Sequence, residues 1–272
     1  MPPGVRLPHG GGAAVLPVTL RVFITGASSG IGAALARHYA ARGATLGLVA
    51  RRESVLQGLL AELPGEHAAY TLDVADSQAV AEAARDFIRR FGVPDVVIAN
   101  AGVSVGTLTE EAGDLQAFER VMRTNVLGLV ASLQPFVVPM RQRGGGRLVG
   151  IASVAGIRGL PGAGAYSASK AAVIACLESL RVELRGSGVR VVTIAPGYIE
   201  TPMTAVNTYP MPFMLPVDEA ARRFARAIEA GVSYTVIPWQ MGLVAKLLRL
   251  LPNPLYDWLF ARAGRKPRGL RL

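Results

Sequence analysis

The chain has 272 residues, of which 51% are hydrophobic, and it carries a formal net charge of +10. This share of apolar residues is enough for a sizeable core and excludes an intrinsically disordered protein. The single cysteine excludes an intramolecular disulfide, and the three scattered histidines have no metal-ligand spacing, so we expect no metal site. Because Cys176 lies in an apolar helical run, we expect its thiol to be buried.

The positive charge is concentrated near the C-terminus. Residues 243–272 contain seven basic residues and one acidic residue, Asp257. Because the charge belongs to a tail, and because basic and aromatic residues do not interleave as they do where bases stack, we expect no nucleic-acid partner. The sequence has no run of about 20 uninterrupted apolar residues that would predict a spanning helix. We therefore expect a cytoplasmic protein, with contact at a membrane surface left open.

Three segments are predicted along the chain. Residues 1–19 are rich in Gly and Pro, and their apolar part is too short and proline-broken for a signal peptide, so we expect a disordered leader. Residues 20–240 are predicted to form one domain. Residues 241–272 are predicted to be a basic amphipathic helical tail of the same domain.

Short β-branched runs alternate with helical patterns from residue 20 onward. The predicted strands are residues 20–26, 45–51, 69–74, 95–100, 146–153 and 190–196. Apolar residues between them recur at helical spacing. This alternation predicts an α/β fold, a Rossmann-type doubly wound parallel sheet with helices on both faces, here with a C-terminal helical extension. Ligands of such sheets bind at the carboxyl ends of the strands, near the switch point.

The first predicted turn is rich in glycine. Gly26, Gly30 and Gly32 follow an apolar strand directly and open a helix. Glycines in that position let the backbone approach a pyrophosphate, while the helix N-terminus supplies amide donors. A tight strand-to-helix turn without a ligand would use the same residues, so this pattern alone leaves both interpretations open.

The second predicted strand ends at Ala50 and is followed by Arg51 and Arg52. Enzymes that select NAD tend to place an acidic residue there for the ribose 2′-hydroxyl. A guanidinium group instead pairs with a 2′-phosphate. The pattern favours NADP(H), and two ordinary solvated arginines are the alternative.

Tyr166 and Lys170 stand four residues apart in the run "AYSASKAAV". The spacing puts both side chains on one face of a helix, about one turn apart. An ammonium near a phenol favours the phenolate, so we expect Lys170 to draw the pKa of Tyr166 toward neutrality. A lysine that snorkels past a half-buried tyrosine is the alternative.

Residues 20 to about 205 resemble the short-chain dehydrogenase/reductase family in its short single-domain form. The motifs match in order and spacing: "TGASSGIG" at 25–32, "LDV" at 72–74, "NAG" at 100–102, "TNVLG" at 124–128, "IAS" at 151–153, "YSASK" at 166–170 and "PGYIET" at 196–201. Each motif is weak by itself, but the ordered set is highly specific.

The resemblance implies four catalytic residues. Tyr166 would protonate the oxygen of a carbonyl that receives hydride, and Ser153 would hydrogen-bond the same oxygen. Lys170 would also bind the nicotinamide ribose hydroxyls. Asn125 would sit at a local helix distortion and hold a water that passes protons to Lys170.

The resemblance also implies a cofactor-binding set for NADP(H). Asp73 would accept from the adenine amino group, with the Val74 backbone beside it. Because Ser29 stands where many NADP-selective members carry Arg or Lys, cofactor choice would depend on Arg51 and Arg52. The full set is Gly26, Ser28, Ser29, Gly30, Ile31, Gly32, Arg51, Arg52, Asp73, Val74, Asn100, Ala101, Gly102, Tyr166, Lys170, Pro196, Gly197, Ile199 and Thr201.

On this basis residues 20–240 are predicted to be a dinucleotide-binding catalytic domain. The predicted function is an NADPH-dependent oxidoreductase that reduces a carbonyl, or oxidises a secondary alcohol, of a hydrophobic small molecule. Residues 201–217 contain three methionines, a residue type that adapts to irregular apolar ligands. A non-catalytic NADP-binding scaffold or sensor of the same fold is the alternative. The family habit implies a homodimer or homotetramer.

The tail departs from the resemblance, since it lacks the glycine-rich ending that many members share. Its two apolar patches are split by "PNP" at residues 252–254 and flanked by basic residues. Three interpretations remain open: a helix that lies on anionic lipid, a contact within the chain or with a second subunit, and a cover over the substrate entrance.

Overall fold

The computed structural model describes residues 19–269, which form a seven-stranded, wholly parallel sheet. The strands are β1 (Arg21–Thr25), β2 (Thr45–Ala50), β3 (His67–Thr71), β4 (Val96–Ala99), β5 (Gly146–Ile151), β6 (Val189–Pro196) and β7 (Tyr234–Ile237). Their order across the sheet is β3-β2-β1-β4-β5-β6-β7. The chain reverses direction across the sheet between β1 and β4, which creates the switch point where ligands of such folds bind.

Helices cover both faces of the sheet. They are α1 (Gly30–Ala40), α2 (Glu53–Glu62), α3 (Ser77–Phe91), α4 (Asp114–Met122), α5 (Gly128–Arg143), α6 (Gly164–Glu183), α7 (Pro202–Ala205), α8 (Val217–Ala230), α9 (Trp239–Leu250) and α10 (Asn253–Phe260). Successive β1 side chains point to opposite faces. Val22 and Ile24 pack with α1, α2 and α8, whereas Phe23 packs with α3, α5 and α6. The predicted doubly wound fold is confirmed.

The six predicted strands are all present, but the sequence analysis missed β7. This strand has only four residues, and none of its first three is buried. A short, half-exposed edge strand leaves little periodicity to detect.

One of the helical patterns between the predicted strands, residues 114–143, is interrupted in the structure. A π-helical turn, Arg123–Leu127, separates α4 from α5. The combined run of 30 residues, whose most apolar window has a mean hydropathy of 1.3, is long and apolar enough to cross a membrane. Half of that window is buried inside the domain, so we interpret it as a core helix.

The predicted helical extension is confirmed as α9 and α10, and both helices pack against their own chain. The Arg158 guanidinium donates to the carbonyls of Leu248 and Leu251 at 2.6 and 2.8 Å, and it lies 3.9 Å from the centre of the Tyr256 ring. The Tyr256 hydroxyl donates to the Gly159 carbonyl at 2.6 Å. These contacts fasten the tail to the loop between β5 and α6.

One expectation from the sequence is wrong, and another concerns residues that the structure does not describe. Cys176 is exposed on α6, so the prediction of a buried thiol is wrong. The helix buries Val173 and Leu177 against the sheet, and Cys176 lies off that face. The predicted leader falls outside the described residues except for Thr19.

Candidate active site

A cleft of about 240 Å³ opens at the carboxyl ends of β1, β2 and β4. The bottom of this cleft is formed by main-chain atoms of glycine residues. Gly26 and Gly30 have positive φ angles of 69° and 53°, which favour glycine. A Cβ atom on Gly26 would lie 2.7 Å from the Ala101 Cα, and one on Gly32 would collide with the Gly26 carbonyl oxygen. The turn therefore holds the start of α1 close to β1 and β4, and it leaves room for a ligand to touch the main chain.

Asn100 ties this turn to the next strand. Its side-chain amide donates to the carbonyls of Thr25 and Gly26, each at 3.1 Å. The Asn100 backbone N–H donates to the Thr25 hydroxyl at 3.2 Å. These bonds join β1 to β4 directly under the cleft, so the glycine turn is fixed in place before any ligand binds.

Two arginines and an aspartate border one end of the cleft. Arg52 donates to the Ser28 hydroxyl at 3.1 Å. The Arg51 guanidinium lies 3.8 Å from a carboxylate oxygen of Asp73. Both partners of this pair are about half exposed, so the pair is weak and leaves Arg51 able to turn toward an anion.

A second pocket of about 100 Å³ adjoins the cleft at the carboxyl ends of β5 and β6. It brings together Ser153, Tyr166 and Lys170. The Ser153 hydroxyl lies close enough to the Tyr166 phenol to affect the pKa of Tyr166. The Lys170 ammonium donates to the Ile151 carbonyl at 2.7 Å and lies 5.8 Å from the centre of the Tyr166 ring.

Burial sets the proton affinities in this pocket. It lowers the pKa of Lys170 to about 8, so the ammonium still predominates at neutral pH. Burial raises the pKa of Tyr166, and the nearby Ser153 hydroxyl offsets part of that rise. The expected drawing-down of the tyrosine pKa by Lys170 is therefore wrong for this arrangement: burial dominates at Tyr166, and the ammonium donates to Ile151.

Asn125 is buried in the π-helical turn, at the place where the resemblance implies a local helix distortion. Its Oδ1 accepts from the Val103 N–H at 2.8 Å, and its Nδ2 donates to the Val103 carbonyl at 3.0 Å and to the Ser169 hydroxyl at 2.9 Å. Ser169 in turn donates to the Tyr166 carbonyl at 2.8 Å. Asn125 thus connects the loop after β4 to the helix that carries Tyr166 and Lys170.

The predicted cofactor residues divide between the two cavities. Those in the cleft are Gly26, Ser28, Ser29, Gly30, Ile31, Arg51, Arg52, Asp73, Val74, Asn100, Ala101, Gly102 and Thr201. Those in the second pocket include Tyr166, Lys170, Pro196, Gly197 and Ile199. Gly32 lines neither cavity and acts through close packing. The two cavities adjoin each other, since both are lined by Ile31, Asn100, Gly102, Thr201 and Met203.

The sequence analysis missed two residues at the site. Thr204 lines the second pocket, and its side chain accepts from the Thr201 N–H at 3.0 Å, which closes a capping box at the start of α7. The spacing Thr-x-x-Thr after "PGYIE" is a detectable signal for such a cap. Val103, the partner of Asn125, has no comparable signal because its main chain makes the contact.

Comparison with known proteins agrees with this geometry. The family model described as short chain dehydrogenase matches residues 21–210. An uncharacterized oxidoreductase of Myxococcus xanthus is 40% identical over 237 residues, which cover 86% of this chain and 93% of that protein.

Two solved structures of 28% identity are also similar. Levodione reductase has a TM-score of 0.74 and covers 80% of this chain and 95% of its own. The alcohol dehydrogenase of the archaeon Thermococcus sibiricus, complexed with 5-hydroxy-NADP, has a TM-score of 0.69 and covers 80% and 96%. This chain belongs to the short-chain dehydrogenase/reductase family and is an NAD(P)-dependent oxidoreductase.

Proposed function

We propose that the protein is an NADPH-preferring reductase of a carbonyl group on a hydrophobic small molecule, or the corresponding alcohol dehydrogenase. One observation carries the proposal: the pocket that holds Ser153, Tyr166 and Lys170 adjoins the glycine-rich cleft and shares lining residues with it. The cleft suits a dinucleotide, because its floor exposes main chain and its far end is bordered by arginines. A nicotinamide cofactor, when bound, supplies the hydride.

The side chains of the second pocket suit the remaining half of a carbonyl reduction. The Tyr166 hydroxyl gives its proton to the carbonyl oxygen as the carbon accepts hydride, so that a C–H bond and an O–H bond form and the C=O π bond is lost. Ser153 donates a hydrogen bond to the same oxygen and stabilises its developing charge. Lys170 would hold the ribose hydroxyls of the bound cofactor, and the tyrosinate regains a proton after the alcohol leaves. Alcohol oxidation uses the same groups in reverse.

The direct test is a screen of NADPH oxidation over carbonyl compounds graded by chain length and ring number. We expect measurable turnover that differs among the carbonyl compounds, with lipophilic compounds preferred. Tight NADPH binding with no turnover across the whole panel would instead favour the non-catalytic scaffold.

Cofactor preference is expected to depend on Arg51. Arg51→Asp places a carboxylate where a 2′-phosphate would pair, so NADPH affinity should fall while NADH affinity changes little. Loss of one charge-assisted contact corresponds to about 1–3 kcal/mol, or roughly tenfold to a hundredfold in Kd. Fluorescence titration of both cofactors measures this effect, with Arg85→Asp, a change on helix α3, as the control. Equal affinities for the two cofactors in the unmodified protein would contradict NADP preference.

We also propose two surfaces for assembly and location. On α5 and the turn before it, Leu127, Val130 and Val138 form an exposed apolar stripe that suits a homodimer or homotetramer contact.

On α9, the exposed residues Trp239, Leu243, Leu247 and Leu250 lie on the side opposite the buried Met241 and Ala245. Exposed cations border this second stripe, and one-sided apolar helices with cations at their edges suit anionic lipid.

Vesicle sedimentation tests the lipid contact. The double variant Leu243→Ser/Leu247→Ser should lose about a hundredfold in affinity for phosphatidylglycerol vesicles, since two leucines no longer enter the interface. High salt should weaken the unmodified protein's binding. Val182→Ser, which alters an equally exposed residue of α6, is the matched control. Light scattering on the same proteins separates the alternatives, because a change in mass with the double variant would assign the α9 stripe to a subunit contact.

A further inference from the structure

The last described segment of the chain packs against three loops at the edge of the sheet where the second pocket lies. We call residues 264–268 the strap. The Gly106 N–H donates to the Pro267 carbonyl at 2.9 Å, and a Cβ atom on Gly264 would lie 2.6 Å from the Tyr209 Cβ. The Arg265 side chain packs against Gly162, where a Cβ would lie 3.0 Å from it. The strap therefore touches the loops that follow β4, β5 and β6, all of which end at the pocket.

An ionic contact fixes the end of the strap. Arg268 Nε donates to Asp114 Oδ2 at 2.8 Å, and Arg268 Nη1 donates to Glu111 Oε1 at 3.0 Å. Asp114 Oδ2 also accepts from the Leu108 N–H at 2.7 Å. These residues precede and begin α4, whereas Met203 and Tyr209 lie in the segment after β6. The strap is thus held by contacts with both parts of the chain.

Between these contacts, the strap carries a buried lysine. Lys266 is 9% exposed, and its ammonium donates to the Met203 carbonyl at 3.2 Å. Within residues 19–269, no carboxylate lies within 4.0 Å of it to form a salt bridge. Burial lowers the pKa of Lys266 to about 8, so the ammonium form still predominates at neutral pH. A buried ammonium normally has an anionic partner.

The position of Met203 indicates where an anionic partner of Lys266 would lie. This residue borders both the dinucleotide cleft and the pocket of Tyr166. The reacting carbonyl would occupy that pocket, beside Ser153. Because its ammonium lies 3.2 Å from the Met203 carbonyl, Lys266 is within reach of a substrate that extends from Tyr166 past Met203.

We propose that Lys266 binds an anionic head group, a carboxylate or a phosphate, at the distal end of a hydrophobic carbonyl substrate. The inference rests on the proposed reductase function and narrows its substrate class to amphiphilic anions. The exposed apolar side chains of Met203, Phe213 and Met214 lie on the same loop and suit the apolar body of such a molecule. A purely structural lysine that caps α7 would not distinguish an acid from its ester.

The test uses matched probes: methyl-ketone fatty acids of increasing chain length, their methyl esters, and the corresponding oxoalkyl phosphates. In the unmodified enzyme with NADPH, we expect kcat/KM for an acid or phosphate to exceed that for the ester by about tenfold or more. The anion whose kcat/KM exceeds that of the ester by the larger factor, carboxylate or phosphate, is the preferred head group. Lys266→Met should remove this preference by raising KM for the acid and the phosphate. The ester rate and the NADPH Kd should remain unchanged. Lys266→Arg should restore part of it, and Lys246→Met, an exposed lysine of α9, is the control.

Each outcome separates the inference from the function on which it rests. Turnover of ketones with no preference between acid and ester in the unmodified enzyme would overturn the role of Lys266 and leave the reductase proposal intact. A change in NADPH Kd with Lys266→Met would also overturn it, because it would assign the lysine to the cofactor. Calorimetry of the acids and esters with the unmodified protein and NADP⁺ gives a readout without turnover, so the head-group preference is measured even if no ketone is reduced. Equal binding there would overturn the inference, and absence of all ketone reduction would contradict only the proposed function.

Discussion

Tyr166→Phe is expected to lower kcat by about 10²–10⁴-fold, the range that a positioned general acid contributes. The substitution removes the only hydroxyl that the Tyr166 side chain can offer to a carbonyl oxygen in the pocket, while the ring still fills the same space. NADPH binding should remain largely intact, because the cleft floor is formed by the glycine turn and Asn100. Steady-state rates and fluorescence titration of NADPH on the same preparation measure the two effects separately.

Tyr234→Phe provides the matched control for that experiment. Tyr234 lies on β7 and is 39% exposed, outside both cavities. It should retain the rate of the unmodified enzyme. If Tyr166→Phe kept that rate as well, Tyr166 would not be the proton donor.

Gly32→Ala is expected to disable the cleft without touching a ligand. A Cβ there would collide with the Gly26 carbonyl oxygen and lie 2.7 Å from the Asn100 amide. Because both atoms are held by the hydrogen bonds between β1 and β4, the turn must open, at a cost of about 1–3 kcal/mol in the free energy of unfolding. NADPH affinity should fall by at least about tenfold, since the amides of the turn no longer face the cleft.

The control for this substitution is another helical glycine. Gly58 in α2 has no neighbouring atom within 4 Å of the place that a Cβ would take, so Gly58→Ala should leave NADPH affinity unchanged and stabilise the protein by about 0.5–1 kcal/mol. Thermal unfolding and cofactor titration of both variants check the contrast. Unchanged NADPH affinity in Gly32→Ala would mean that the cleft is not the dinucleotide site.

The sheet and the glycine turn could be predicted because their signals are local. β1 alternates residues between two apolar faces, and Gly26 and Gly30 need backbone conformations that other residues rarely adopt. The resemblance placed Ser153, Tyr166 and Lys170 in sequence, and the structure brings them into one pocket. Their catalytic roles remain predictions.

Features that depend on distant contacts could not be predicted in the same way. The strap gives no signal of its own, because the burial of Lys266 depends on Gly106 and Met203, which lie far away in the chain. The pKa of Tyr166 was predicted with the wrong sign because burial cannot be read from the spacing of Tyr166 and Lys170. The exposure of Cys176 likewise depends on which face of α6 meets the sheet.

The central claim is that hydride reaches a carbonyl carbon beside Tyr166, and isotope transfer tests it most directly. NADPH carrying deuterium at both C4 positions of the nicotinamide is incubated with the best ketone from the screen, and the alcohol is analysed by mass spectrometry and NMR. We predict one deuterium on the carbinol carbon of the alcohol made by the unmodified enzyme, and almost no alcohol with Tyr166→Phe. An alcohol without deuterium on that carbon, or equal amounts of labelled alcohol from both proteins, would contradict hydride transfer at this site.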